Sequence, residues 1–226
     1  MVSAQDLQGI PLFSTTSTAA IEELLSQHHL ASLPSGQSLV LESDWGDAVM
    51  VLLEGLAKVR SFNSDGEELV YALLGPGDPL GEVAVLDGDS RCADVISLSP
   101  VRLLKLAGHS FQKLIQNNTA PCLALAKLEA RRLRDLNTRF ALQRSDATSR
   151  VLFTLAYIAS KCHAEQDPLA AMPPLPQSEI AVIAGMARET ASRVMSKLRV
   201  RGDVSEEDGR LRLTTIAPLQ KRGIWP

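Results

Sequence analysis

The stretch that most constrains this chain is Leu175–Arg201, LPQSEIAVIAGMARETASRVMSKLRVR. A short helix is expected over about Gln177–Ala184, because Ile180, Ile183 and Ala184 fall on one face at helical spacing. Gly185 follows, where a left-handed residue ends a helix without steric penalty. A second helix is expected over about Ala187–Val200, with Val194 and Leu198 facing inward. Small Ala181 and Ala184 let the two helices cross closely. This is the pattern of a helix-turn-helix, whose second helix can enter the major groove of DNA.

The second helix carries matching chemistry. Arg188, Glu189 and Arg193 lie towards its N-terminal end, where base edges are read. An arginine can pair bidentately with guanine, and a glutamate can accept from the cytosine amino group. Thr190, Ser192, Ser196, Lys197, Arg199 and Arg201 are candidates for phosphate contacts. Residues 187–201 hold five basic side chains and one acid. A merely solvated helix accounts for that charge, but not for the glycine turn, the small residues at the crossing and the Arg-Glu-Thr run.

At GMARETASRVMSKLR the chain resembles the recognition element of the CRP/FNR (catabolite activator) superfamily of transcriptional regulators. The superfamily pattern Gly-x-x-Arg-Glu-Thr-x-x-Arg falls on Gly185, Arg188, Glu189, Thr190 and Arg193. The resemblance implies that Arg188, Glu189 and Arg193 read the bases of a TGTGA-like half-site.

Composition limits what surrounds this element. The 226 residues, 45% of them hydrophobic, suffice for one large or two modest cores. The net charge is −3 and the pI about 5.8, so DNA affinity must come from a local basic patch. No charged-then-apolar leader opens the chain and no apolar run approaches the roughly 18 residues of a membrane span, so a cytoplasmic protein is expected. Cys92, Cys122 and Cys162 are dispersed, with no CxxC and no Cys/His spacing suited to a metal, so neither zinc nor an iron–sulfur cluster is expected.

Upstream, an amphipathic helix capped by Ser17 or Thr18 is expected within residues 11–27, with Ile21, Leu24 and Leu25 inward, followed by His28 and His29 in a surface or capping role. From Ala31 to Leu106 the period changes. Short apolar runs at 38–41, 48–53, 57–62, 69–74, 92–98 and 101–106 alternate with glycine turns, including Asp65-Gly66. Strands at this spacing predict a jelly roll or small barrel. A metal-dependent enzyme on such a roll needs clustered histidines, and none lies between His29 and His109.

Inside the roll, residues 80–95 read LGEVAVLDGDSRCADV. Gly81 permits close backbone approach, Glu82–Val85 suits a single helical turn with free N–H groups, and Arg91 is an isolated cation beside apolar residues. A plain β-turn with an exposed Glu and Arg fits equally well. The stretch is also similar to the phosphate cassette of cyclic-nucleotide-binding members, Gly-Glu-(Leu/Val)-Ala…Arg-x-Ala. That resemblance implies that Gly81, Val83, Ala84 and Cys92 contact a cyclic phosphate, Arg91 pairs with it and Glu82 holds the ribose 2′-hydroxyl. Cys92 stands where Ser or Thr is common.

Residues 118–143 predict one long helix, with Thr119 and Pro121 at its start. Cys122, Leu125, Leu128, Leu133, Leu136 and Phe140 form an apolar stripe, and Arg131, Arg132, Arg134 and Arg139 occupy other faces. A two-fold coiled coil would cover the stripe. The resemblance likewise implies a dimerisation helix that also closes over the nucleotide. In cAMP-binding members Thr and Ser late in this helix reach the adenine; here those positions are Leu136 and Asn137, of which Asn137 can bond an adenine edge. Residues 143–148 read as a hinge, 150–160 as a supporting helix, 163–174 as a loop, and 204–215 as a β-hairpin wing around Asp208-Gly209, with Trp225 in the tail.

The expectation is an α+β protein. It comprises a cyclic-nucleotide-binding-like β jelly roll over 1–117, a dimerisation helix over 118–143 and a winged helix-turn-helix over 144–226. The resemblance implies a homodimeric bacterial regulator on palindromic double-stranded DNA, controlled by cAMP, acting with RNA polymerase, away from membranes and without metal or haem. No enzyme constellation is present. An effector-independent regulator with a vestigial pocket is the alternative.

Overall fold

A computed structural model describes residues 2–163 and 165–225; Ala164 of the expected loop and Pro226 of the tail lie outside them. The elements run α1 (Ala4–Gln8), α2 (Thr18–Leu25), β1 (His29–Leu33), β2 (Ser38–Val40), β3 (Ala48–Glu54), β4 (Ala57–Phe62), β5 (Glu68–Leu74) and β6 (Pro79–Leu80). They continue α3 (Glu82–Asp87), β7 (Asp94–Ser97), β8 (Val101–Ala107), α4 (Gly108–Asn117), α5 (Thr119–Leu142), α6 (Ala147–Cys162), α7 (Gln177–Ile183), α8 (Arg188–Val200), β9 (Val204–Glu207), β10 (Arg210–Leu213) and α9 (Ala217–Gln220). The chain divides into two compact units, residues 1–57 with 76–135 and residues 58–75 with 136–226.

The first unit is the roll. Its antiparallel sheet has the order β1-β8-β3-β6, and β2 pairs with β7. Strand alternation sorts β3 and β8: Val49, Val51, Leu104 and Leu106 point to one face, onto which Leu7, Phe13, Ile21, Leu24, Phe111, Leu114 and Leu125 pack. Ser17 caps α2, accepting from the Ala20 amide, while Leu25 is only partly buried. The short α1, closed by a Ser3–Asp6 capping box, and α4 were not anticipated from the sequence. His28 satisfies the Leu25 carbonyl through Nδ1 at 2.5 Å, as a cap would, whereas His29 lies in β1.

In the second unit the β4–β5 hairpin packs with α6 and α7. The Leu73 amide donates to the Tyr157 hydroxyl at 3.3 Å, Arg139 donates to the Val70 carbonyl at 2.6 Å, and Lys58 reaches Glu179 at 2.7 Å. Helix α6 is buried on every side from Val151 to Ser160, rather than along one face, because the hairpin, α7, α8, β10 and α9 surround it. Trp225 packs on Phe153 with ring centroids 5.7 Å apart.

Two expectations need refinement. The hinge is shorter: Asp146 already caps α6, accepting from the Thr148 and Ser149 amides, so residues 147–148 are helical. The stripe on α5 also splits. Leu125 is buried in the core of the first unit, while Leu123, Ala126, Ala130, Leu133, Asn137 and Phe140, spaced alternately three and four residues apart, are exposed. Leu133 is 59% and Phe140 77% exposed. That spacing matches the three-four repeat of a coiled-coil seam.

Candidate nucleic-acid interface and ligand site

Helix α7 ends in a closed turn. Gly185 adopts φ +62°, its amide bonds to Val182 O at 2.9 Å, and the Met186 amide reaches Ala181 O at 3.0 Å. These two bonds form a Schellman motif, which satisfies the end of the helix and redirects the chain. Arg150 on α6 donates to Ala184 O at 2.7 and 3.0 Å and also to Gly185 O, so the turn is clamped from behind. Ala181, Ala184, Ala191, Val194, Met195 and Leu198 are buried in the crossing.

The opposite side of α8 is open. Arg188, Glu189, Arg193 and Lys197 are exposed, and Thr190 and Ser192 are half-buried. All six lie on one short helix, whose first N–H groups receive no side-chain cap. Arg193 Nε donates to the Glu189 carbonyl one turn back at 3.3 Å. Two phosphate candidates are otherwise engaged: Ser196 donates to Ser192 O at 3.0 Å, and Arg199 pairs with Glu206 of β9 at 2.8 Å. Gly202 (φ +74°) ends α8, and Asp208-Gly209 turns the β9–β10 wing as the sequence suggested.

Six of the seven ligand candidates lie in the first unit: Gly81, Glu82, Val83, Ala84, Arg91 and Cys92; Asn137, exposed on α5, belongs to the second. Gly81 sits at φ +78° as the N-cap of α3, and a Cβ there would meet Arg91 Nη1 at 2.5 Å. Val83 and Ala84 follow in the first turn. Arg91 is buried and turned inward: it donates to Gly81 O and, at 2.7 Å, to Ala48 O. It also walls a cavity of about 330 Å³ shared with Val40, Trp45, Ala48, Met50 and Lys105. Burial, reinforced by Glu82, Asp87 and Glu42, pushes the Cys92 thiol up.

Glu82 is 3% exposed and accepts from Arg132 Nη1 at 2.5 Å. Its other oxygen, Oε2, is buried with no hydrogen-bond partner, an arrangement that calls for a donor. Arg132 also donates to Glu129 at 3.0 Å and to Pro79 O at 2.5 Å. Sequence reasoning placed Arg132 on a face other than the apolar stripe and did not single out Glu129; their three-residue separation was the only local signal.

Comparison with known proteins matches a domain family to each of these two regions. Residues 30–118 match the cyclic nucleotide-binding domain, and residues 149–222 match the Crp-like helix-turn-helix domain. The chain belongs to the CRP/FNR superfamily of transcriptional regulators. It is similar to the cyclic AMP receptor protein of Thermus thermophilus, 28% identical over 95% of this chain and 97% of that one. It is also similar to a CRP-like cAMP-activated global transcriptional regulator of Mycobacterium tuberculosis, 25% identical over 93% and 95%. The structure of FixK2 from Bradyrhizobium japonicum superposes with a TM-score of 0.73 over 86% of this chain and 96% of that one, at 20% identity, a likeness of fold. Such relatives regulate transcription and are not enzymes. Among the described residues no helix is long and apolar enough to cross a membrane, and no cluster of metal-ligating side chains occurs.

Proposed function

We propose that this regulator is a cytoplasmic homodimer that binds a palindromic operator under the control of a cyclic nucleotide, cAMP first, and acts with RNA polymerase. Two observations support the ligand reading: Glu82 Oε2 is a buried acceptor with no hydrogen-bond partner, and Arg91 walls a cavity of about 330 Å³. A ribose hydroxyl supplies the missing donor, Arg91 supplies the cation for the cyclic phosphate, and Gly81, Val83, Ala84 and Cys92 supply backbone contacts. Asn137 is the proposed adenine contact. The named activity of the Thermus and Mycobacterium relatives favours cAMP over other effectors.

In the same reading residues 1–117 sense, 118–143 dimerise and 144–226 bind DNA. The exposed seam of α5 favours a second copy of the helix as its cover. Two α8 helices about 34 Å apart then address successive major grooves of an inverted repeat. Arg188, Glu189 and Arg193 read bases, while Thr190, Ser192 and Lys197 hold phosphates.

A second reading, a regulator that needs no effector, is favoured by the pairing of Arg91 with Gly81 O and Ala48 O and by Leu136 and Cys92. Fluorescence anisotropy of nucleotide-stripped protein on inverted-repeat DNA, with and without cAMP or cGMP, separates the two. Dependence on nucleotide supports the first, tight binding without it supports the second, and a monomer that binds no inverted repeat overturns both.

A further inference from the structure

Glu129 has no role in any motif read above, yet it sits on the arginine that holds Glu82. Arg132 Nη1 lies 2.5 Å from Glu82 and 3.0 Å from Glu129, so one guanidinium nitrogen serves two carboxyls. Asp78, before β6, adds a third negative charge that acts on Glu129.

We propose that Glu129 tunes the affinity of the ligand site by its protonation state, so that nucleotide binds tightest when Glu129 is neutral. This rests on the ligand reading above. Neutral Glu129 leaves the Arg132 cation to Glu82 and itself donates a hydrogen bond to the Glu82 carboxylate, which removes one negative charge from the site. Ionised Glu129 competes for Arg132 and opposes the approach of an anionic phosphate.

Electrostatics support the geometry. Burial raises the Glu129 carboxyl from 4.5 to about 7; Arg132 opposes the shift, and Glu82 and Asp78 reinforce it. Its folded value is the raised one, so its stabilising contribution is complete below pH 4.5 and is lost as pH rises through about 7. Ligand binding follows the same sign: an added anion favours the protonated form, so affinity falls as pH rises, by at most about tenfold per unit for one proton.

The test is calorimetric titration of full-length dimer with cAMP and with cGMP at pH 6, 7 and 8, using wild type and Glu129→Gln. Wild type is expected to weaken about three- to tenfold from pH 6 to 8, with proton uptake when buffers of different ionisation enthalpy are compared. The glutamine variant should stay within about twofold of wild type at pH 6, throughout. A nucleotide that binds without pH dependence, or an unchanged pH profile in Glu129→Gln, overturns the inference and leaves the ligand reading standing. If neither nucleotide binds at any pH, the ligand reading falls. The cluster is then judged by thermal unfolding of ligand-free protein: a fall in Tm from pH 5 to 8 no larger in wild type than in Glu129→Gln overturns it as well.

Discussion

The contact most open to a quantitative test is Lys58. Its ammonium lies 2.7 Å from Glu68 Oε1 and 2.7 Å from Glu179 Oε2, and the residue is only 2% exposed. Glu68 has a second cation, Arg60, at 3.4 Å. Lys58→Met fills the space but leaves two half-buried carboxylates without their shared cation. Removing one partner of a buried ion pair destabilises by about 3–5 kcal/mol, and Arg60 keeps the expected loss near the lower end, about 3 kcal/mol. Glu179→Gln instead leaves Lys58 paired with Glu68 and bonded to the amide oxygen, so about 1 kcal/mol is expected. In the double variant the orphaned charge at 179 is gone, so the combined loss should fall short of the sum by about 1 kcal/mol or more. Urea unfolding followed by fluorescence is suitable in a Trp45→Phe background, because the remaining Trp225 packs on Phe153 within the second unit. Additive losses, or a Lys58→Met loss below about 0.5 kcal/mol, would refute the view that the β4–β5 hairpin is locked onto α7 by charge.

Gly185→Ala places a side chain at φ +62° with its Cβ 3.0 Å from Arg150 Nη2, so a loss of about 1–2 kcal/mol is expected, read as a lower Tm. Asp146→Ala removes the cap of α6 and should lower stability by about 1 kcal/mol. The Ser149 hydroxyl and the amides of Ser149 and Thr148 hold the Asp146 carboxyl below its ordinary 3.8. The contribution is therefore present above about pH 4 and fades as pH drops through the lowered folded value; wild type, but not the alanine variant, should show that fade on acid titration. Arg193→Ala should weaken a footprinted operator by about 1–3 kcal/mol while affecting non-specific DNA much less; equal losses on both would show a phosphate contact instead of base readout.

The elements legible in the chain are those whose cause is local. The turn of the helix-turn-helix was visible because Gly185 tolerates a left-handed backbone, and the wing because Asp208-Gly209 sits between alternating residues. The Gly81–Cys92 cassette was readable because closeness along the chain puts Gly81 beside Arg91 in space. The α5 stripe was read as one surface, although it is two. Helical periodicity marks residues as apolar, but Leu125 lies in the packed core while Leu133 and Phe140 are exposed, and only tertiary packing shows which is already covered.

What the sequence determined by itself is thus the list of parts: a roll, a long helix and a helix-turn-helix whose second helix carries an exposed Arg-Glu-Arg edge. Tertiary structure alone decided how charges were shared among them. Lys58 and Glu179 are 121 residues apart, and Arg132 and Glu82 are 50 apart. Spacing along a chain encodes backbone conformation over a few residues, but a buried ion finds whichever opposite charge the fold brings within about 4 Å, and no local period records that meeting.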